Sequence, residues 1–292
     1  VSDPAYADAL TRFATLGAIA DEPLAPACNA FAFTHGYRTP SATLFLHGLT
    51  ASPRQFAALA VHAFRAGENV IVPRLPRHGH ADRLSATLRD LVVPELIAGV
   101  EAQFGIAAQL GDTVRVVGFS LGGLLAAWLA YTRPVRHTIA IAPLLGVAGV
   151  PPRFTGALTR ELHRRPNLFV WWDPIRRERQ LPAHGYPRYS THAIAHSLDL
   201  AARLAASVAT AAPASSIMLV TNTGEAAISN AAIAHFARDW SRHGTVEANL
   251  RRLTRIGYSH DIIEPERDRA LIARSYPQIL TLLDETALPR RQ

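Results

Sequence analysis

A serine set between two glycines, Gly118-Phe119-Ser120-Leu121-Gly122, follows the run "DTVRVVGF" and opens the leucine-rich run "LGGLLAAWLAYTR". Glycines two residues before and after the serine let a strand and a helix meet in a sharp turn without Cβ clashes. Such a turn holds the hydroxyl proud of the strand ends, at a helix N-terminus whose dipole favours developing negative charge. The chemistry this suits is nucleophilic attack. A serine needed only as an N-cap would not require both glycines.

A serine hydroxyl is a poor nucleophile at neutral pH and needs a base that is itself oriented by an acid. In strand–turn–helix settings of this kind the chain order is serine, acid, histidine, with the last two on loops after later strands. Thirteen histidines compete for the role of base. His35, His47, His62, His78 and His80 precede Ser120. His137 opens a strand, His163, His184, His192 and His196 fall in or beside an irregular middle segment, and His235 and His243 belong to a helix. His260, in "RIGYSHDIIEP", alone sits between the last strand and the last helix. The acid is expected after the strand "SSIMLVT", where the loop "NTGEAAIS" offers Glu225 as its only carboxylate. Asp199 precedes that strand, Asp239 lies too far into the next helix, and Asp261 is badly placed to hold its neighbour's ring. Two backbone N–H groups should face the oxygen that becomes negative. Leu121 supplies one, and Leu49, in "LHGLTASP" with Thr50 close by, is the candidate for the other. His47 in the same loop reads as a structural histidine.

The elements that must position these residues alternate. "TLFLHG", "NVIVP", "DTVRVVGF", "RHTIAIAPLL", "SSIMLVTN" and "VEANLRRLT" read as short buried strands. Between and after them lie helical stretches, among them "RQFAALAVHAFRAG", "RLSATLRDLVVPELIAGVEAQFG" with a kink expected at Pro94, "SNAAIAHFARDWSRHG" and "PERDRALIARSYPQILTLLDE". This alternation predicts an α/β fold with a mostly parallel, doubly wound sheet. Residues 146–195 break the rhythm with six prolines and a group of aromatics around "FVWWDP". They read as a cap inserted over the C-terminal edge of the sheet, where ligands bind in such folds. The division predicted is an N-terminal extension over 1–40, a core over 41–145 and 196–292, and the cap over 146–195. "YADALTRFATL" predicts a helix within the extension.

With those residues placed, the chain resembles the α/β-hydrolase superfamily, and within it the carboxylesterase and monoacylglycerol-lipase-like branch. "LFLHGLTASPRQFAALA", "VIVPRLPRHGHADRL", "VVGFSLGGLLAAWLA" and "GYSHDIIEPERD" resemble its stretches "LLHGFTGSP…LA", "P-x-L-P-G-H-G", the serine turn and "S-x-H-x-I…D/E". The resemblance runs from about residue 42 to 285 and is weakest in the cap. It implies Ser120 as nucleophile, His260 as base, Glu225 as acid, and the Leu49 and Leu121 amides as oxyanion donors. Two positions depart from the pattern. Arg77 stands where the "P-G-H-G" loop has glycine, and Glu225 replaces the commoner aspartate of "D-x-x-V", which here reads "E-A-A-I".

The expected reaction is ester cleavage through an acyl-enzyme on Ser120, with no metal or cofactor required. An aromatic, proline-rich cap favours a small-molecule ester with an apolar acyl or alcohol group. Thr50, Phe119, Trp171 and Trp172 are the candidate substrate contacts. Alternatives are the same triad acting on amides, lactones or C–C bonds, acyl transfer, and a non-catalytic binding protein on this scaffold. Composition narrows the rest. With 49% apolar and 18% charged residues the chain can bury a large core, and no apolar run is long enough to span a membrane. All 30 basic residues are arginine and the net charge is +7, yet the tight clusters are short, among them "RRER" at 176–179, "RR" at 251–252 and "RR" at 290–291. No nucleic-acid signature accompanies them, so a solvated surface is the reading and no nucleic acid is expected as a partner. Cys28, the single cysteine, forms no intrachain disulfide. The chain opens at Val1 with no signal-peptide core, which leaves a soluble protein in the cytoplasm or one secreted after signal removal.

Overall fold

The computed structural model describes residues 4–287; the Arg290–Arg291 pair lies outside them. In chain order the elements are α1 (Pro4–Ala18), β1 (Phe31–Phe33), β2 (Thr39–Leu46), α2 (Ala57–Arg65), β3 (Asn69–Val72), α3 (Val93–Leu110), β4 (Gly111–Phe119), α4 (Leu121–Thr132), β5 (His137–Ile141), α5 (Pro152–Arg164), β6 (Phe169–Trp171), β7 (Arg188–Ser190), α6 (Thr191–Thr210), β8 (Ile217–Asn222), α7 (Asn230–Ser241), β9 (Ala248–Leu253) and α8 (Arg269–Thr286).

Seven strands form one sheet in the order β1-β3-β2-β4-β5-β8-β9. Every neighbouring pair is parallel except the edge pair β1–β3. The all-buried stretches of β3, β4 and β8 follow from this arrangement, because helices cover both faces of a parallel sheet. Two apolar clusters result. One joins α1, α3, α4, α6 and α7 to one face, and the other joins α2 and α8 to the opposite face. The outer edge is guarded differently. Strand β9 is half exposed and carries Arg251 and Arg252, charges that discourage edge-to-edge pairing. Within the second layer Arg115 of β4 is buried, with Nη2 2.7 Å from Glu68 Oε2 and Nη1 donating to the Leu283 carbonyl of α8 at 2.7 Å. That network pins the last helix against the central strands.

Three sequence expectations change. The helix expected from residue 83 begins only at Val93, preceded by a short 3-10 turn over Thr87–Asp90. Pro94 therefore sits in the first turn, where its missing N–H costs nothing, and introduces no kink. Residues 1–40 are not only an extension: beyond α1 they supply β1, the antiparallel edge of the main sheet, and the first two residues of β2. The middle segment is more ordered than its prolines suggest. It holds α5, the β6–β7 hairpin and the start of α6, which runs unbroken through residue 195, so that boundary falls inside a helix.

Candidate active site

Ser120 ends the central strand β4 and precedes α4 with φ 55° and ψ −113°, a left-handed strained conformation for a residue with a side chain. The flanking glycines make this turn possible. A Cβ on Gly118 would lie 2.0 Å from the Gly122 carbonyl oxygen, and one on Gly122 would lie 1.9 Å from the Leu46 carbonyl oxygen. The Ser120 amide donates to the Ile141 carbonyl at 2.9 Å, and its own carbonyl accepts from Leu124 and Leu144 at 3.0 Å each. These bonds lock the turn between β5 and α4. The hydroxyl makes no capping bond to α4, which leaves it available for other chemistry.

His260 and Glu225 meet that hydroxyl from two separate loops. His260 Nε2 lies 2.9 Å from Ser120 Oγ, and its Nδ1 lies 2.9 Å from Glu225 Oε1 and 3.1 Å from Oε2. The Phe119 ring packs on the imidazole, centroids 4.9 Å apart. The Glu225 side chain is wholly buried, and Oε1 also accepts from the Ala227 and Ile228 amides at 2.8 and 3.1 Å. Burial pushes its pKa up, but the hydrogen bond and charge of His260 and the two amides outweigh that and hold the carboxyl below its ordinary value. The carboxylates set aside in the sequence are engaged elsewhere. Asp199 pairs with His163, Asp239 with Arg242 and His235, and Asp261 with Gln55.

On the other side of Ser120 stands the loop after β2. Neither the Leu49 nor the Leu121 amide donates to another backbone carbonyl among the turn, loop and cap bonds of the described residues. The amides flanking Leu49 are both taken, Gly48 by Gln55 Oε1 at 3.0 Å and Thr50 by His78 Nε2 at 3.3 Å. His47 is completely buried and braces the neighbouring loop, its Nε2 accepting the Leu75 amide at 3.0 Å.

Above the serine opens a cavity of about 460 Å³. Leu49, Thr50, Phe119, Leu144, Val147, Tyr189, Ile194 and Ile228 supply apolar wall, with Gln180, Arg83, Arg267 and Asp261 as polar lining. Four candidate substrate contacts thus separate. Phe119 and Trp172 line the cavity. Thr50 lines it too, but its polar atoms are engaged by the middle segment: its hydroxyl accepts from Trp172 Nε1 at 2.8 Å and its carbonyl from the Tyr186 amide at 2.8 Å. Trp171 does not line the cavity. Successive strand side chains point to opposite faces, and Trp171, the last residue of β6, lies instead beside the Arg188 guanidinium, 5.9 Å from its ring centroid.

Arg83, for which the sequence carries no signal, fastens part of the middle segment. Its Nε donates to the Gly185 carbonyl, Nη1 to Glu178, and Nη2 to Gln180 and Pro182, all at 2.9–3.1 Å. All four acceptors lie within one eight-residue stretch, 178–185. No local motif signals such a role, because the partners are main-chain carbonyls a hundred residues away. Arg77 is likewise explained. It adopts φ 65°, the region glycine enters most easily, while its side chain turns from the cavity to Glu95 of α3 at 3.0 Å and to Asp21.

The fold and this arrangement define an α/β hydrolase. The chain belongs to the alpha/beta hydrolase family, whose model matches residues 43–274. It is 33% identical over 114 residues to a thermostable monoacylglycerol lipase of Bacillus sp. (strain H-257), a match spanning 38% of this chain and 43% of that enzyme. Among solved structures, the monoacylglycerol lipase of Paleococcus ferrophilus aligns with a TM-score of 0.62 at 19% identity, covering 88% of this chain and 98% of that one. A soluble variant of the Saccharomyces cerevisiae monoglyceride lipase aligns at 0.63 and 13% identity, over 89% and 92%. At these identities the structural likeness is one of fold. No helix of the described residues is long and apolar enough to cross a membrane.

Proposed function

We propose that this chain is a lipase- or esterase-type serine hydrolase that cleaves carboxylic esters with a Ser120–His260–Glu225 triad. The observation that carries the reading is the unbroken pair of hydrogen bonds, 2.9 Å each, from Ser120 through His260 to Glu225 at the floor of a mostly apolar cavity. The similarity to a monoacylglycerol lipase supports an ester as the bond attacked.

His260 Nε2 takes the Ser120 proton as Oγ attacks the ester carbonyl, and Glu225 fixes the tautomer and balances the imidazolium charge. The carbonyl oxygen becomes negative and accepts from the Leu49 and Leu121 amides. Collapse of this adduct expels the alcohol, which receives the proton from His260, and leaves an acyl group on Ser120. Water then attacks with His260 again as base, releasing the acid and restoring the serine. In this reading residues 146–195 act as a cap that excludes bulk water from the cavity and receives the apolar part of the ester.

The test is a fluorophosphonate probe read by intact-mass analysis, together with turnover of p-nitrophenyl esters from acetate to palmitate. One adduct per chain, lost in Ser120→Ala together with ester turnover, is expected. An unmodified native protein, or Ser120→Ala that still hydrolyses esters, rejects the proposal.

A further inference from the structure

We propose that His163, His196 and Asp199 form a binding site for a late first-row divalent metal ion, zinc being the reference case, at the junction of α5 and α6. His163 lies in the last turn of α5, while His196 and Asp199 are three residues apart on α6 and so share a face of that helix. One ligand atom from each of the three lies within 4.8 Å of the others. His163 Nε2 already sits 2.7 Å from Asp199 Oδ2, and the His163 and His196 rings meet edge to face with centroids 4.8 Å apart.

Two imidazoles and a carboxylate are the donor set of zinc, copper and nickel, whereas magnesium and calcium prefer oxygen donors throughout. Metal–ligand bonds of about 2.0–2.1 Å place tetrahedral ligands about 3.3 Å apart. Reaching that spacing means opening the 2.7 Å contact slightly and drawing in the widest one. The His163 and Asp199 side chains are 33% and 35% exposed, so rotation of solvent-facing side chains achieves this without moving either helix. The same exposure gives an ion a way in and leaves room for water to complete its coordination. His192, one turn earlier on α6, stays outside the set because its Nε2 is held by the Arg165 carbonyl at 2.9 Å.

An ion here would tie two helices that are far apart along the chain, across the β6–β7 hairpin. Ile194, two residues before His196, forms part of the cavity wall. The metal's role is therefore structural, stiffening the cap, and the inference does not depend on which reaction the cavity supports.

The test uses the whole protein, stripped with EDTA, dialysed, and titrated with zinc chloride. Metal content after equilibrium dialysis and the melting temperature are both read. The expected result is one zinc per chain at micromolar free metal, with a melting temperature raised by a few degrees and restored by EDTA. His163→Gln and His196→Gln should each weaken binding at least about tenfold while the metal-free melting temperature stays unchanged. Asp199→Asn provides a third variant should either one alter the fold. Failure to take up zinc at micromolar concentration overturns the proposal. So does uptake that survives all three substitutions, which would point to unrelated pairs such as His235 and Asp239. Excess magnesium should not compete, and competition would also count against the site.

Discussion

His47 and His78 brace each other's loops: His47 Nε2 accepts the Leu75 amide, and His78 Nε2 accepts the Thr50 amide. Their rings meet nearly edge to face, 5.1 Å apart, and both are completely buried. Each Nδ1 faces a carbonyl, Gly48 at 3.0 Å for His47 and Pro76 at 2.7 Å for His78. Nδ1 must therefore carry the proton and Nε2 the lone pair, so both rings are neutral in the intact arrangement. Leu49, the proposed oxyanion donor, stands between the residues that this pair holds.

That relationship predicts how stability responds to acid. Burial pushes the pKa of His78 down from 6.5 to about 4 and that of His47 well below its ordinary value. Because the folded value is depressed, the unfolded chain takes up protons first as pH falls. The stabilisation is complete above the unfolded value near 6.5 and is lost as pH drops through the window down to about 4, where the folded state also protonates. For His78 alone the loss amounts to about 3 kcal/mol across that window. Urea midpoints measured from neutral to about pH 4 should fall more steeply in the native protein than in His78→Gln. Equal slopes would show that His78 does not titrate in this range.

The charge on Glu225, separately from its shape, should be needed. Glu225→Gln keeps the size and an acceptor for the Ala227 and Ile228 amides, but it removes the charge opposite His260 Nδ1. A loss of about 10³–10⁴-fold in kcat is expected, with near-native stability. Glu225→Asp keeps the charge and shortens the reach by one methylene, so it should retain activity, reduced by about 10–100-fold. Steady-state rates on one soluble ester compare the two. An active Glu225→Gln would return the search for the acid to the other carboxylates.

Arg83 should govern binding more than chemistry. One guanidinium donates to four carbonyls of the proposed cap and hydrogen-bonds to none of Ser120, His260 and Glu225. A lysine cannot reproduce that planar fork. Arg83→Lys and Arg83→Met are both expected to raise KM by about 5–20-fold, with kcat changed much less, and the effect should grow with acyl chain length. A uniform fall in kcat at constant KM would contradict a cap-positioning role.

What the sequence reveals here depends on distance along the chain. Ser120, the slot of His260 and the strand–helix alternation rest on local signals: two glycines, a loop position and hydrophobic period. The late start of α3 was hidden because "RLSATLRD" carries helix-compatible spacing, yet its backbone is held by non-helical bonds: the Leu84 amide donates to Asp82 Oδ1, the Thr87 amide to Ser85 Oγ, and the Leu84 carbonyl accepts from Arg188. The role of β1 was hidden because three residues of edge strand carry almost no pattern. Trp171 and Trp172 are adjacent and alike in composition, and only the hairpin register of β6 with β7 sends one to the cavity and the other to Arg188. Arg83 works through main-chain carbonyls, which leave no trace in residue types.

The turn at Ser120 also makes a contrast between two glycines. A methyl on Gly122 would lie 1.9 Å from the Leu46 carbonyl oxygen and 2.6 Å from that of His47, both backbone atoms that can yield only if β2 moves away from α4. Gly122→Ala should destabilise by more than about 4 kcal/mol or prevent soluble expression. Gly105 lies inside α3, where a methyl would meet nothing within 4 Å. Gly105→Ala should stabilise by about 0.5–1 kcal/mol. Thermal melts of the pair read this directly, and a well-folded Gly122→Ala would mean that strand and helix are less closely joined than these distances require.

Gln55 couples the two sides of the site. Its Oε1 accepts the Gly48 amide at 3.0 Å, and its Nε2 donates to Asp261 Oδ1 at 3.2 Å, one residue from His260. Burial, with Glu264 adding to it against Arg267, already pushes the Asp261 carboxyl above its ordinary value. Gln55→Glu preserves the acceptor for Gly48 and replaces the donor with a second carboxyl. Two carboxyls at that distance cannot both ionise cheaply, so at the acid end one shared proton can restore the bridge. As pH rises the proton leaves, the carboxylates repel, and the oxyanion loop and the histidine loop separate. The ratio of variant to native kcat/KM should therefore be highest at acid pH and fall toward neutrality, while Gln55→Leu, which has no proton to share, should give a ratio that is low at every pH. A ratio that does not change with pH in Gln55→Glu would show that Asp261 and the Gln55 side chain act independently.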